Sequence, residues 1–214
     1  MTSLYDLAAV DVRWPAQIIV LNGAPRSGKS SIAKAIQKNF DGIWMNLGVD
    51  VFGQWVTPER YRPGMGLRPG EEDHELYPLQ PALFAALYDS LAAHSRAGLH
   101  VVADIGHHRR DILIECARRL DGLPGLLVGV RCPISVVMQR RNASPPGHYL
   151  GGAVDDPPGP VRRWQAEVHD PGIYDLEVDT SLLSPDECAA AIEGRLREGR
   201  GVAFAQISGL DGRG

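Results

Sequence analysis

Cysteine is scarce in this chain. Three occur in 214 residues, Cys116, Cys132 and Cys188, an odd number set far apart. That excludes a disulfide framework and a zinc site built on cysteine pairs, and it fits reduced thiols. An excess of positive charge is missing as well. Lys and Arg number 22 against 26 Asp and Glu, for a net charge of −4. No global basic field exists to hold nucleic acid or an anionic membrane surface, so neither is expected as a partner. No uninterrupted apolar run approaches the roughly 20 residues that cross a bilayer. The stretch from Met1 to Gln17 carries Asp6 and Asp11 and has no basic residue before Arg13. It makes a poor secretory signal, and a cytoplasmic location is expected.

What the chain does have is a core. Apolar residues make up 44 % and charged residues 22 % of the sequence, ordinary values for one globular domain. The expected unit is a single domain over residues 1–214, with an N-terminal extension at 1–16 and a loose tail at 208–214. Repeats and low-complexity tracts are absent, and short apolar runs alternate with helical patterns instead. "QIIVLNG", "IWMNLGVD", "LHVVADIG", "LLVGVRC" and "YDLEVDTS" read as five strands. Between them, Leu79, Leu83, Leu87 and Leu91 share a helical face closed by Gly98, and Ile112, Cys116 and Leu120 share another. Ser184, Pro185 and Glu187 spell a capping box with proline at the first helical position. Strands separated by helices predict an α/β fold, a parallel five-stranded sheet with helices on both faces. Residues 142–160, "NASPPGHYLGGAVDDPPGP", are too rich in Gly and Pro for a core element and read as a lid-like loop. Trp44, Trp55, Trp164 and the tyrosines serve the core or stack on an aromatic substrate, and core is expected for most of them.

The stretch "VLNGAPRSGKSSIA" satisfies G-x-x-x-x-G-K-[ST] between a predicted strand and a predicted helix, the context that gives the motif its meaning. Gly23, Ala24, Pro25, Arg26, Ser27, Gly28, Lys29, Ser30 and Ser31 would bind ATP, Gly23 and Gly28 letting the backbone wrap its phosphates with N–H groups at a helix N-terminus. Lys29 would reach the outer phosphates and Ser30 would ligate Mg²⁺. Asp104 ends the run "VVAD", where a carboxylate helps hold that metal, or serves as a helix cap or salt-bridge partner. Asp50 ends "NLGVD". It faces the terminal phosphate as a base toward an acceptor hydroxyl, or caps the following helix. Arg140 and Arg141 end a helix beside the lid-like loop, as phosphate contacts or as a solvated basic helix end. His107 and His108 lack ligand-type neighbours and read as a loop pair beside the crevice, not a metal site.

Taken together, "IVLNGAPRSGKSSI", "LGVD", "VVAD", "VGVRCPISVVMQRR" and "EVHDPGIYDLEVDTSLLSPDECAAAI" resemble the chloramphenicol phosphotransferase family of P-loop kinases, roughly from Ile18 to Ile192. The resemblance implies the three-layer P-loop kinase fold with a lid. It implies ATP- and Mg²⁺-dependent phosphorylation of a hydroxyl on a small antibiotic-like acceptor. It makes Asp50 the base, Arg140 the lid arginine and Asp104 the strand-ending metal carboxylate. The segment after Asp50 departs from the family's acceptor-binding segment, so phosphoryl transfer is the firmer expectation. A kinase of another metabolite, sugar or nucleotide, or a nucleotide-binding regulatory module, remains the alternative.

Overall fold

The computed structural model describes residues 15–52, 77–144 and 151–210. Trp55 and most of the segment after Asp50 lie outside them, as do residues 1–14, 145–150 and 211–214. Five parallel strands form one sheet: β1 (Ile18–Asn22), β2 (Trp44–Asn46), β3 (His100–Ile105), β4 (Gly125–Arg131) and β5 (Leu176–Asp179), in the order β2-β3-β1-β4-β5. The central strand β1 pairs Ile18 with Val101 of β3 and with Gly125 of β4. The predicted parallel sheet with helices on both faces is the one observed.

Alternation along buried strands feeds two cores at once. Ile18 and Val20 of β1 pack beneath α3 (Gln80–Arg96), α4 (Arg110–Leu120) and α8 (Ala203–Ser208). Ile19 and Leu21 face α1 (Lys29–Asn39) and α7 (Pro185–Arg197) on the other side. All five residues of β1 are buried, which is why the strand reads as a continuous apolar run rather than an alternating one. The capping box of α7 forms as spelled: Glu187 N donates to Ser184 Oγ (3.3 Å) and Ser184 N donates to Glu187 Oε2 (2.8 Å). Gly98 follows α3 with φ +82°, the left-handed conformation expected there.

Three elements differ from the sequence reading. The strand expected to run on to Asp50 stops at Asn46, because the Asn46 side chain accepts from Gly48 N (3.3 Å) and turns the chain. A short helical turn, α2 (Val49–Val51), follows, so Asp50 lies within a helix and not at a strand end. Both ends of the loop read over residues 142–160 are helical instead. Asn142 closes α5 (Ile134–Asn142), and prolines lead into α6 (Gly159–Glu167) with Pro160 in its first turn. Asn142 staples the base of this loop, donating to Gly152 O (2.9 Å) and accepting from Gly152 N (3.1 Å). At the two ends, Ala16 is buried and its N donates to Ser95 O (2.8 Å), while Ser208 belongs to α8.

The C-terminal helix is not legible in the pattern because one distant carboxylate holds it. The fully buried side chain of Asp175 accepts from Val202 N (2.6 Å), Ala203 N (3.0 Å) and Leu127 N (2.9 Å). It thereby ties the start of α8 to β4. Asp175→Ala strands these donors, and the expected cost is about 3 kcal/mol. Urea unfolding measures it, and a loss below about 1 kcal/mol would mean that α8 docks by apolar contacts alone.

Candidate active site

The loop between β1 and α1 turns on Gly28, the N-cap of α1, at φ +102°. A side chain there would be strained and would press on Thr180, 3.2 Å from the position of its Cβ. No side chain caps α1, which leaves its first N–H groups to a ligand. Lys29 folds back over the loop, donating from Nζ to Gly23 O (2.8 Å) and Ala24 O (3.0 Å). Ser27 Oγ is buried without a partner among the described residues. The loop has the form of an anion cradle with its lysine parked on the rim.

Asp104 meets this loop from β3, at hydrogen-bond distance from Ser30 Oγ (2.5 Å). Its carboxylate passes directly over Gly48, where a Cβ would sit 1.6 Å from Oδ1. Only glycine fits there. Burial pulls the Lys29 ammonium below the ordinary lysine range, against the opposing charges of Asp104 and then Asp50. Burial likewise raises the Asp104 carboxyl, with the Lys29 charge opposing. The charge of Asp50 acts on Lys29 and Asp104 alike, so it belongs to the same electrostatic group although its side chain is exposed. The cap of α2 is Gly48, with no side-chain bond, so Asp50 is not a helix cap. A hydroxyl and a carboxylate converging beside a phosphate cradle suit a hard cation that keeps water and phosphate oxygens as its other ligands. No cluster of three or more His, Cys, Asp or Glu side chains competes for a metal among the described residues.

Arg140, expected as the lid arginine, is bonded to the phosphate loop and to the end of β5. Its guanidinium donates to Thr180 Oγ1 (3.0 Å), Thr180 O (2.7 Å) and Arg26 O (3.3 Å), and Arg26 donates back to Arg140 O (3.0 Å). Thr180 Oγ1 in turn donates to Ser27 O (2.6 Å). These bonds clamp the outer arc of the loop to the end of β5. Arg141, beside it, is buried.

Beneath the loop runs a polar chain that the sequence reading does not anticipate. Tyr88 OH donates to His107 Nε2 (2.9 Å), and His107 Nδ1 donates to Asn22 Oδ1 (3.2 Å). Asn22 Nδ2 donates to Val168 O (2.7 Å) and Tyr174 OH (2.8 Å), and that hydroxyl donates to His169 Nδ1 (2.7 Å). His107 is therefore buried inside the chain rather than lining the crevice, while His108 lies against Trp164 with ring centres 4.5 Å apart. The one signal available is Asn22, a polar residue closing an apolar strand immediately before Gly23.

A family model described as chloramphenicol phosphotransferase-like protein matches residues 16–197. The chain belongs to that family. It is a phosphotransferase with the P-loop kinase fold. A Mycobacterium tuberculosis protein whose name proposes an O-phosphotransferase is 28 % identical over 202 residues, covering 86 % of this chain and 84 % of that one. Three solved structures show the same fold. The Deinococcus radiodurans tunicamycin resistance protein is 18 % identical (TM-score 0.60, 85 % of this chain and 95 % of that one). The M. tuberculosis APS kinase is 15 % identical (TM-score 0.61, 86 % and 99 %). The Aquifex aeolicus shikimate kinase is 16 % identical (TM-score 0.56, 84 % and 96 %). Among the described residues no helix is long and apolar enough to cross a membrane.

His107 supplies a pH dependence. Burial first, then the charges of His108 and Lys29, hold its pKa down at about 3. The unfolded chain binds this proton near pH 6.5 and the folded one does not, so stability falls as pH drops from about 6.5 toward 3. At pH 5 the expected loss is about 2 kcal/mol relative to neutral pH. His107→Gln should flatten the acid limb of a stability–pH curve by roughly 1.2 kcal/mol per unit between pH 6 and 5. An unchanged slope would place His107 in contact with water.

Proposed function

We propose that the chain transfers the terminal phosphoryl group of ATP to a hydroxyl of a small antibiotic-like acceptor, with Mg²⁺ held by Ser30 and Asp104. The observation that carries this reading is the convergence of Lys29, Ser30, Asp104 and Asp50 on the mouth of one phosphate loop. The family description and the fold shared with the tunicamycin resistance protein support an antibiotic-like acceptor. A cytoplasmic resistance role belongs to the same proposal.

Each residue then has a task. Backbone N–H groups between Gly23 and Ser31, Pro25 having none to offer, hold the phosphates, and Lys29 exchanges the carbonyls of Gly23 and Ala24 for phosphate oxygens. Ser30 and Asp104 trade their mutual hydrogen bond for the metal. Held there, magnesium would supply positive charge against the negative charge that develops during phosphoryl transfer. Asp50, exposed at the mouth, accepts the acceptor's hydroxyl proton. Arg140 fixes the loop's outer arc, and Arg141 backs the nucleotide side.

Lys29→Ala should lower phosphoryl transfer by ~10²–10³ while the protein stays folded; near-normal turnover would remove the loop from the chemistry. Asp50→Asn keeps size and hydrogen bonding but takes up no proton at neutral pH. Its kcat should fall by ~10² or more, toward the low end because a loose transition state demands little early deprotonation. Since the Asp50 side chain is exposed and caps nothing, its melting temperature should match the parent's. A destabilised but fully active variant would show that another group is the base.

A further inference from the structure

The strongest unexplained feature near the site is Gln80, the first residue of α3. It is fully buried, yet neither Oε1 nor Nε2 has a hydrogen-bond partner among the described residues. Leaving a buried polar atom unmet costs about 1–3 kcal/mol, and most such atoms in folded proteins are met. A carboxamide with both ends unmet is one that something else satisfies.

Its place says what that something is. Helix α3 ends at Arg96, just before β3 begins at His100, so it runs back along β3 toward the sheet's carboxyl edge. Seventeen helical residues extend about 25 Å, whereas the six residues of β3 extend about 20 Å. The first turn of α3 therefore overhangs the edge where ligands bind in such sheets. Gln80, Phe84 and Tyr88 follow one another at helical spacing on one face. The rings of Phe84 and Tyr88 lie 6.5 Å and 5.9 Å from that of His107, three residues beyond Asp104. The turn that carries Asp50 packs Val49 and Phe52 against the same cluster. The proposed base and Gln80 thus stand on two elements that share one apolar floor.

We propose that Gln80 is a specificity-determining residue for the acceptor, hydrogen-bonding through Nε2 and Oε1 to a group that carries both a donor and an acceptor, such as an amide or a second hydroxyl. This rests on the phosphotransferase reading above and adds to it the chemistry of the acceptor's far end. That end is uncharged. The face beside Gln80 is apolar or neutral, because burial keeps the Tyr88 phenol protonated and His107 without charge.

The test measures transfer of labelled phosphate from ATP by wild type, Gln80→Leu and Gln80→Glu. The acceptors are chloramphenicol and N-acetylglucosamine, neutral and amide-bearing, and galacturonate, anionic. Melting temperature without acceptor is followed in parallel. Gln80→Leu removes an unmet amide and should melt at or above wild type, while the acceptor KM rises ~10-fold or more and the KM for ATP holds. Gln80→Glu should weaken the neutral acceptors further. A Leu variant melting several degrees lower would show that the amide has a structural partner, and would overturn the proposal. Transfer with a wild-type acceptor KM in that variant, or preference for galacturonate, would overturn it while the phosphotransferase reading stands. Transfer to none of the three by folded wild type would overturn the acceptor reading and this proposal with it.

Discussion

The contact between Asp104 and Ser30 is the constraint on which the site depends. It joins the end of β3 to the first turn of α1, and it does so through the space above Gly48. Three separate requirements meet at that point. The chain after β2 must turn without a side chain, β3 must deliver a carboxylate at its last polar position, and the phosphate loop must end in a hydroxyl. A larger residue at Gly48 would push Asp104 off Ser30 and move the α2 turn that carries Asp50. The geometry of the proposed metal side and of the proposed acceptor side is therefore set by one glycine.

This arrangement is costly in the absence of a ligand. Burial disfavours the charge on both Lys29 and Asp104, and each is kept within reach of ionisation by the other. Lys29 leans on two loop carbonyls and Asp104 on a hydroxyl, partners that are neutral and easily exchanged. Groups held in this way can be transferred to phosphate oxygens and a cation with little net desolvation, since they have already left bulk water. Such preorganisation is what electrostatic stabilisation of a transferring phosphoryl group requires.

Legibility from sequence follows the sequence distance between partners. The phosphate loop, the α7 cap and the strand that carries Asp104 are each encoded within a few neighbouring residues, and each forms as its local pattern spells it. Asn22 bonds residues 146 and 152 positions away, and Asp175 bonds residues 27 and 48 positions away. No local pattern announces such partners. The end of β2 is hidden for a related reason. "IWMNLGVD" is apolar enough to continue as a strand, but the Asn46 side chain and the passage of Asp104 over Gly48 stop it, and the second cause lies 56 residues further along the chain. Prolines at positions 157, 158 and 160 read as loop, although two of them lead into α6 and the third opens it.

The two arcs of the phosphate loop are held by different kinds of bond. The inner arc, Gly23 and Ala24, is held by Lys29, a ligand-exchangeable group. The outer arc, Arg26 and Ser27, is held by Arg140 and Thr180, which have no other described task. Arg26 sits at φ +70°, an uncommon conformation for a residue with a side chain, and its carbonyl and guanidinium both engage Arg140. A strained residue persists when its surroundings over-determine it. In the proposed exchange of Lys29 from the inner arc to phosphate, the outer arc has its own bonds to keep its shape. The loop can thus lose its lysine contacts without collapsing, and α5, through Arg140, is the element that makes this possible.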